Sequence, residues 1–265
     1  MKYLQVFTDI KAKVHALCNQ LKLKLRKAVG RPLAIDPEDT LTLALYWKRQ
    51  NIGTKRAVWN DFLNGVCSYK TFVVSLKRFI LLILLISRCL MRENQRNAHL
   101  VKFTDSTDIP VCLNKNAAHH RTMRGLAAWG RSAKGFYYGL KLHLTVDWNH
   151  ALQSVAFTAA NVDDRTPFLS LNKKLDGLFI ADAGYISETL SSLFNTDKRI
   201  LLAKPRANMK KLATRFQTFL YNQRMRIEWS IRSLKLFRGL ISSLPRSIDG
   251  YIGNYVYALL AHLIA

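Results

Sequence analysis

An α/β fold, a mixed five-stranded sheet with flanking helices preceded by an all-helical segment, is what the sequence predicts, and three observations predict it. Over the first hundred residues apolar side chains recur at steps of three and four, the period of one helix face. From about residue 100 the texture changes to strand-like runs, LVKFTD, FYYGLKLHLTV, ALQSVAFTAA, GLFIAD and RILLAKP, rich in β-branched and aromatic residues. Two helix-like stretches, 163–175 before GLFIAD and 187–194 before RILLAKP, supply the crossovers that parallel strands need. The division falls at 98/99: residues 1–98 helical, residues 99–265 α/β.

Each element has a local reason. Phe7, Ile10, Val14, Leu17 and Leu21 mark one face of a first helix. After a Gly-Arg-Pro break at 30–32, Asp36 followed by Pro37, Glu38 and Asp39 has the form of an N-cap with acids in the first turn, opening a helix through about Gln50. Asn51 to Gly53 is a turn. Thr54 caps a short helix ending at Asn64-Gly65, and Ser68 caps a longer one running to about Glu93. The pair has the form of a helix-turn-helix, with Lys70, Lys77 and Arg78 on its later helix. The run FILLILLI at 79–86 is expected to be a buried helix, since it is far short of the roughly 20 apolar residues of a membrane span. Downstream, the first three strand-like runs form an antiparallel meander. Residues from Arg215 to about Leu240 read as one helix, followed by a break around Pro245 and Gly250 and an apolar end, YVYALLAHLIA.

The charge narrows the partners. Lys and Arg number 41 against 17 Asp and Glu, a net charge of +24, and such a field repels itself unless a polyanion is near. Nucleic acid is the expected partner, and no membrane is expected. The basic, glycine-bearing segment from Lys115 to Gly135 is expected to run along DNA. The start MKYLQVFTDIKAKV lacks the apolar block of a signal peptide, so a cytoplasmic, DNA-associated location is expected. Cys18, Cys67, Cys89 and Cys112 form no CxxC pair, which excludes a zinc ribbon and a dithiol redox motif.

Phosphodiester chemistry at neutral pH needs neutralised phosphoryl oxygens and an activated oxygen nucleophile, which two Mg²⁺ ions held by carboxylates supply. Asp105 follows the apolar run LVKFT, and Asp182 closes GLFIA ahead of Ala183-Gly184-Tyr185. An acid closing a buried strand is costly without a partner, which points to function. Asp163 and Asp164 compete, but they precede Arg165-Thr166-Pro167, where an aspartate ordinarily caps a helix. His143 reads as a strand residue.

Glu228 is one of two acids between Leu201 and Ala265, the other being Asp249. On a regular helix, with Tyr221 at zero, Arg224 falls at about 300°, Glu228 at about 340° and Lys235 at about 320°, an arc of roughly 60°. Leu220, Ile227, Ile231 and Leu234 form an adjacent apolar stripe. Ordinary surface pairing of Arg224 and Arg232 with Glu228 is the plainer reading of the same charges.

Tyr221, Arg224, Glu228 and Lys235, at this spacing, resemble the Y-R-E-K signature of DDE transposases from bacterial insertion sequences. With Asp105 in FTDST, Asp182 in FIADAGY and the strand YYGLKLHL between them, the resemblance covers roughly residues 100–260. It implies an RNase H-like core in which Asp105, Asp182 and Glu228 hold two Mg²⁺, with Mn²⁺ able to substitute, while Tyr221, Arg224 and Lys235 contact DNA beside the cut bond. It further implies cleavage at inverted-repeat ends, transfer of the freed 3′-OH to target DNA, and a homodimer in the DNA complex. Ala183 departs from relatives that carry lysine there, losing a phosphate contact but no metal ligand. The alternative is an inactive derivative that binds ends or represses transcription.

Overall fold

The computed structural model describes residues 2–23, 25, 30, 32–205 and 213–265; Arg31, in the break at 30–32, lies outside them. Helices α1 (Lys2–Gln20), α2 (Pro37–Arg49), α3 (Lys55–Phe62), α4 (Tyr69–Arg78) and α5 (Ile80–Arg96) come first. Strands β1 (Val101–Pro110), β2 (Ala128–Ser132), β3 (Gly135–Asp147) and β4 (Leu152–Ala159) follow. Then come α6 (Phe168–Leu171), β5 (Gly177–Ala181), α7 (Glu188–Phe194), β6 (Arg199–Ala203), α8 (Arg215–Asn222), α9 (Met225–Arg232) and α10 (Ile248–Leu263). Two units result, one of Met1–Ser87, Leu234–Leu240 and Pro245–Ala265, the other of Arg88–Ser233 and Ile241–Leu244.

In the first unit the expected caps form. The Asp36 carboxylate accepts from the Glu38 N–H at 2.9 Å, Thr54 from Ala57 at 3.2 Å, and Ser68 from Thr71 at 3.1 Å, each satisfying an amide the helix leaves unpaired. The helix expected from Ser68 to Glu93 is interrupted at Phe79, whose N–H bonds Leu76 O three residues back, so α4 and α5 are separate. The run at 79–86 is buried on one face only: Phe79, Ile80, Ile83 and Ile86 are inside, whereas Leu81 and Leu85 are 73% and 58% exposed. A helix apolar all round needs more than one partner to bury it, and this run has one covered face. The C-terminal helix α10, which the sequence division grouped with the sheet, packs on α2 and α4. Its Tyr257 meets the Trp47 ring edge-on and donates its hydroxyl to Leu76 O.

Lys48 at the end of α2 is 3% exposed and donates to Gly239 O at 2.9 Å and to Asn254 Oδ1 at 2.5 Å. Burial, then the nearby Lys55 charge, lowers its pKa to about 7. The unfolded lysine titrates near 10.4, so from about pH 7 to about pH 10 unfolding takes up a proton and stability rises with pH, by at most about 1.4 kcal/mol per pH unit. Thermal melts across that window are expected to show this rise in the wild type and to lose it in Lys48→Met.

The second unit is built on a sheet ordered β2-β3-β1-β5-β6, with β4 also paired to β3. β1, β3 and β4 form the expected antiparallel meander, and β1-β5-β6 are parallel. β2, antiparallel to β3, lies within the segment 115–135, where no strand is expected from the sequence. The helix expected over 163–175 shrinks to the single turn α6; ahead of it Asp163 accepts three hydrogen bonds of 2.7–2.9 Å from Arg165. Within the core, Phe168, Phe179, Tyr185, Phe194 and Leu201 cluster against one another. At Gly139, paired with Pro110 across β1 and β3, an added Cβ would stand 2.1 Å from Ile109 O. Gly139→Ala is therefore expected to cost about 3 kcal/mol of stability in denaturant melts.

Candidate active site

Phe103 of β1 lies opposite Ile180 of the parallel strand β5. Two residues further along each strand the same register reaches Asp105 and Asp182. Side chains two apart on a strand share a face, and neighbouring strands run about 4.8 Å apart, so the two carboxylates emerge side by side. β5 stops at Ala181, which frees Asp182 to turn away from the sheet; its Oδ1 accepts from the Ala183 N–H at 2.7 Å and caps a 3-10 turn, Ala183–Tyr185. Asp105 lies inside β1 rather than at its end, beyond the last residue that β5 pairs, and its Oδ1 accepts from the Ser106 N–H at 2.8 Å.

One cation joins them. Arg224 Nη2 lies 3.1 Å from Asp105 Oδ2 and Nη1 lies 3.2 Å from Asp182 Oδ1. The guanidinium and Asp105 are 16% and 19% exposed, while Asp182 is 52% exposed. Burial pushes the Asp105 carboxyl up to about 6; Arg224 and the Ser106 N–H hold it down, and Asp182 and Asp164 push it further up. Tyr185, directly after Gly184, is 2% exposed, and burial with the Asp105 charge raises its phenol well above the usual range. Asp164 pairs with Lys141 at 2.9 Å, and His143, two residues along β3, shares a 2.8 Å hydrogen bond with Thr158 Oγ1. Burial lowers the His143 pKa.

Arg224 gets there because the helix expected from Arg215 to Leu240 is not regular. It lies between α8 and α9, where the amides of Arg224, Arg226 and Ile227 bond carbonyls three residues back at 3.3, 3.0 and 3.1 Å. Such tight winding advances about 120° per residue instead of 100°, and Ser233–Phe237 is then π-helical. The 60° arc drawn on a regular wheel therefore does not describe one surface.

Asp105, Asp182 and Arg224 are brought together. Glu228 is exposed in the first turn of α9, a helix that packs on β1 and β3. Among the described residues no three His, Cys, Asp or Glu side chains converge tightly enough to hold a metal ion. Tyr221 is 9% exposed and donates to Ala203 O, at the end of β6, at 3.3 Å. Lys235 lies in the π-helical segment and belongs to the first unit. Sequence reasoning misses the Asp105–Arg224–Asp182 bridge: it assigns Arg224 to DNA phosphate, and no sequence periodicity reports the tight turn that delivers the guanidinium. Two carboxylates converging on one positive charge are oxygen donors of the kind a hard cation such as Mg²⁺ takes, with positions left for water and phosphate. Asp105 and Asp182 therefore fit such an ion in the place the guanidinium holds.

The model of the transposase DDE domain matches residues 95–245, more than half of the chain. In fold the chain is similar to piggyBac transposase as solved by cryo-EM in a synaptic complex with hairpin DNA, with a TM-score of 0.55 at 10% identity, over 99% of this chain and 74% of that one. No curated protein matches the chain in sequence.

Proposed function

The chain belongs to the family of transposases with a DDE domain, and from that membership we propose that it binds the ends of its own insertion sequence and catalyses metal-dependent strand cleavage and strand transfer. The observation that carries the reading is the pair Asp105, on β1, and Asp182, directly after the adjacent parallel strand β5, which share one cation. The strand order β4-β3-β1-β5-β6, antiparallel through β1 and parallel beyond it, supports an RNase H-like core. The Tyr221, Arg224, Glu228 and Lys235 spacing supports the Y-R-E-K branch found in bacterial insertion sequences. The net charge of +24 supports DNA as partner and a DNA-associated, cytoplasmic location, and joining two ends calls for a dimer in the DNA complex. Among the described residues no helix is long and apolar enough to cross a membrane.

In this reading Asp105, Asp182 and Glu228 hold the metal, Mg²⁺ with Mn²⁺ as substitute. When bound, two such ions neutralise the phosphoryl oxygens and lower the pKa of the attacking water. Arg224 leaves the carboxylates and takes up a non-bridging phosphate oxygen, for which its planar fork is suited. Tyr221, held by Ala203 O, fixes α8 on the end of β6 beside the bound strand, and Lys235 takes the DNA backbone as a point charge. Water displaces the 3′-oxygen at the element end, and the freed 3′-OH then displaces a 3′-oxygen in target DNA, each step breaking one P–O bond and forming one.

Incubation of the protein in Mg²⁺ or Mn²⁺ with a duplex carrying the DNA that flanks its reading frame, beside a scrambled duplex, tests this. Site-specific release of a 3′-OH end is expected; cutting of both duplexes alike would make it a general nuclease. Equal activity after Glu228→Ala would remove Glu228 from the metal set. A second reading, an end-binding protein without catalysis, is favoured by the exposure of Glu228 and by the Arg224 bridge. It predicts specific end binding with no cleavage in any divalent metal.

A further inference from the structure

We propose that the β2–β3 hairpin is a stacking surface for unpaired bases of single-stranded DNA; this rests on the transposase reading and adds a substrate class to it. The two strands pair in a register that sets Trp129 opposite Tyr138 and Arg131 opposite Phe136. Alternation along a strand divides the hairpin cleanly. Gly130 and Tyr137 point inward, Tyr137 at 5% exposure and Gly130 against Ala160, where no Cβ would fit. Trp129 and Phe136 point outward, 50% and 65% exposed. On the outer face the Trp129 and Tyr138 rings meet edge-on at 5.8 Å, and the Arg131 guanidinium lies 5.7 Å from the Phe136 ring centre.

Two exposed aromatic side chains alone could meet a protein or a nucleic acid, and the charge around them decides. From Ile109 to Leu140 the chain holds Lys115, Arg121, Arg124, Arg131 and Lys134 and no Asp or Glu, and all five cations are exposed. Exposed aromatic rings in a stretch of chain that carries five exposed cations match the alternation of base and phosphate along a single strand, and the carboxylates that act on the hairpin, Asp108 and Asp164, act on its inward Tyr137. A base paired inside a duplex keeps its faces stacked on its neighbours, so the aromatic contribution is confined to strands that are open, such as those freed when an end is cut.

The test is fluorescence anisotropy with a labelled oligothymidylate and a labelled duplex of equal length, using the full chain. Trp129→Ala/Phe136→Ala is expected to weaken oligothymidylate binding by about tenfold or more while leaving duplex binding within about twofold. Trp129→Phe, which keeps a ring, is expected to retain most of the single-strand affinity. Arg131→Ala/Lys134→Ala is expected to weaken both ligands and to lower the salt dependence. Unchanged oligothymidylate affinity in the double alanine variant, or equal losses on both ligands, would overturn the proposal, as would a Trp129→Phe loss as large as that of the double alanine variant. The catalytic reading is scored separately by end cleavage: selective single-strand binding that depends on Trp129 and Phe136, in a wild type that cuts nothing, would leave this surface standing and remove that reading alone.

Discussion

Asp105→Asn is expected to slow cleavage of end-bearing DNA by about 10³-fold or more, to leave end binding within about twofold, and to leave the protein at least as stable as the wild type. The first effect comes from removing one of the two carboxylates that converge on a single cation. The last is a matter of linkage. The folded pKa, about 6, lies above the usual aspartate value of 3.8, so the folded chain holds the proton more tightly than the unfolded one. Stability therefore falls as pH rises from about 4 to about 6 and stays reduced above that, by about 3 kcal/mol at 1.36 kcal/mol per unit. Asparagine keeps the shape and removes that cost, although Arg224 then keeps only Asp182 as a charged partner. Single-turnover nicking, gel-shift titration and thermal melts at neutral pH measure the three quantities. A variant that cut within tenfold of wild type would take Asp105 out of the reaction centre. Activity lost at unchanged or raised stability is the mark of a residue kept for chemistry.

Arg224→Ala is expected to lower stability by about 2 kcal/mol at neutral pH and low salt. Removing the partner of a fully buried charge costs about 3–5 kcal/mol, and the half-exposed Asp182 contributes little after solvent screening. The loss is expected to shrink towards pH 5, where Asp105 takes up a proton, and, on the proposed metal reading, on addition of Mn²⁺, since an ion held only by the folded form stabilises it. Mn²⁺ should raise the melting temperature of Arg224→Ala more than that of the wild type, because in the wild type the ion must first displace the guanidinium. Arg224→Lys, with a single point charge in place of a fork, should fall between. A melting temperature that responded to neither pH nor Mn²⁺ in the alanine variant would mean that the bridge contributes no more than an ordinary surface pair.

The features readable in the sequence are those set by a few adjacent residues. Asp36, Thr54 and Ser68 cap their helices as their side-chain chemistry predicts, and the crossover stretches before GLFIAD and RILLAKP imply the parallel pairing of β1, β5 and β6. Asp182 at the close of β5 is legible because a carboxylate ending an apolar run is unusual. The features that escape depend on hydrogen-bond register rather than on residue type. The interruption at Phe79, the tight turn at Arg224 and the π-helical stretch after Ser233 all preserve an apparently helical pattern of apolar residues while shifting the phase of the residues downstream. For that reason a regular wheel groups Arg224 with Glu228, whereas the guanidinium faces Asp105 and Asp182. β2 escapes for another reason: AWGRS is short and centred on glycine, and its partner β3, not its own composition, makes it a strand.

The proposal that this DDE-family chain joins DNA ends through Asp105 and Asp182 is tested most directly by strand transfer. A labelled duplex carrying the element end is incubated with protein, Mg²⁺ and a supercoiled plasmid, and covalent joining of the label to the plasmid is measured for the wild type and for Asp182→Asn. Joined product from the wild type, through the 3′-OH of the element end, and none above background from Asp182→Asn is the expected result. Equal joining by the two proteins, or a folded, end-binding wild type that joins nothing in either Mg²⁺ or Mn²⁺, would contradict it.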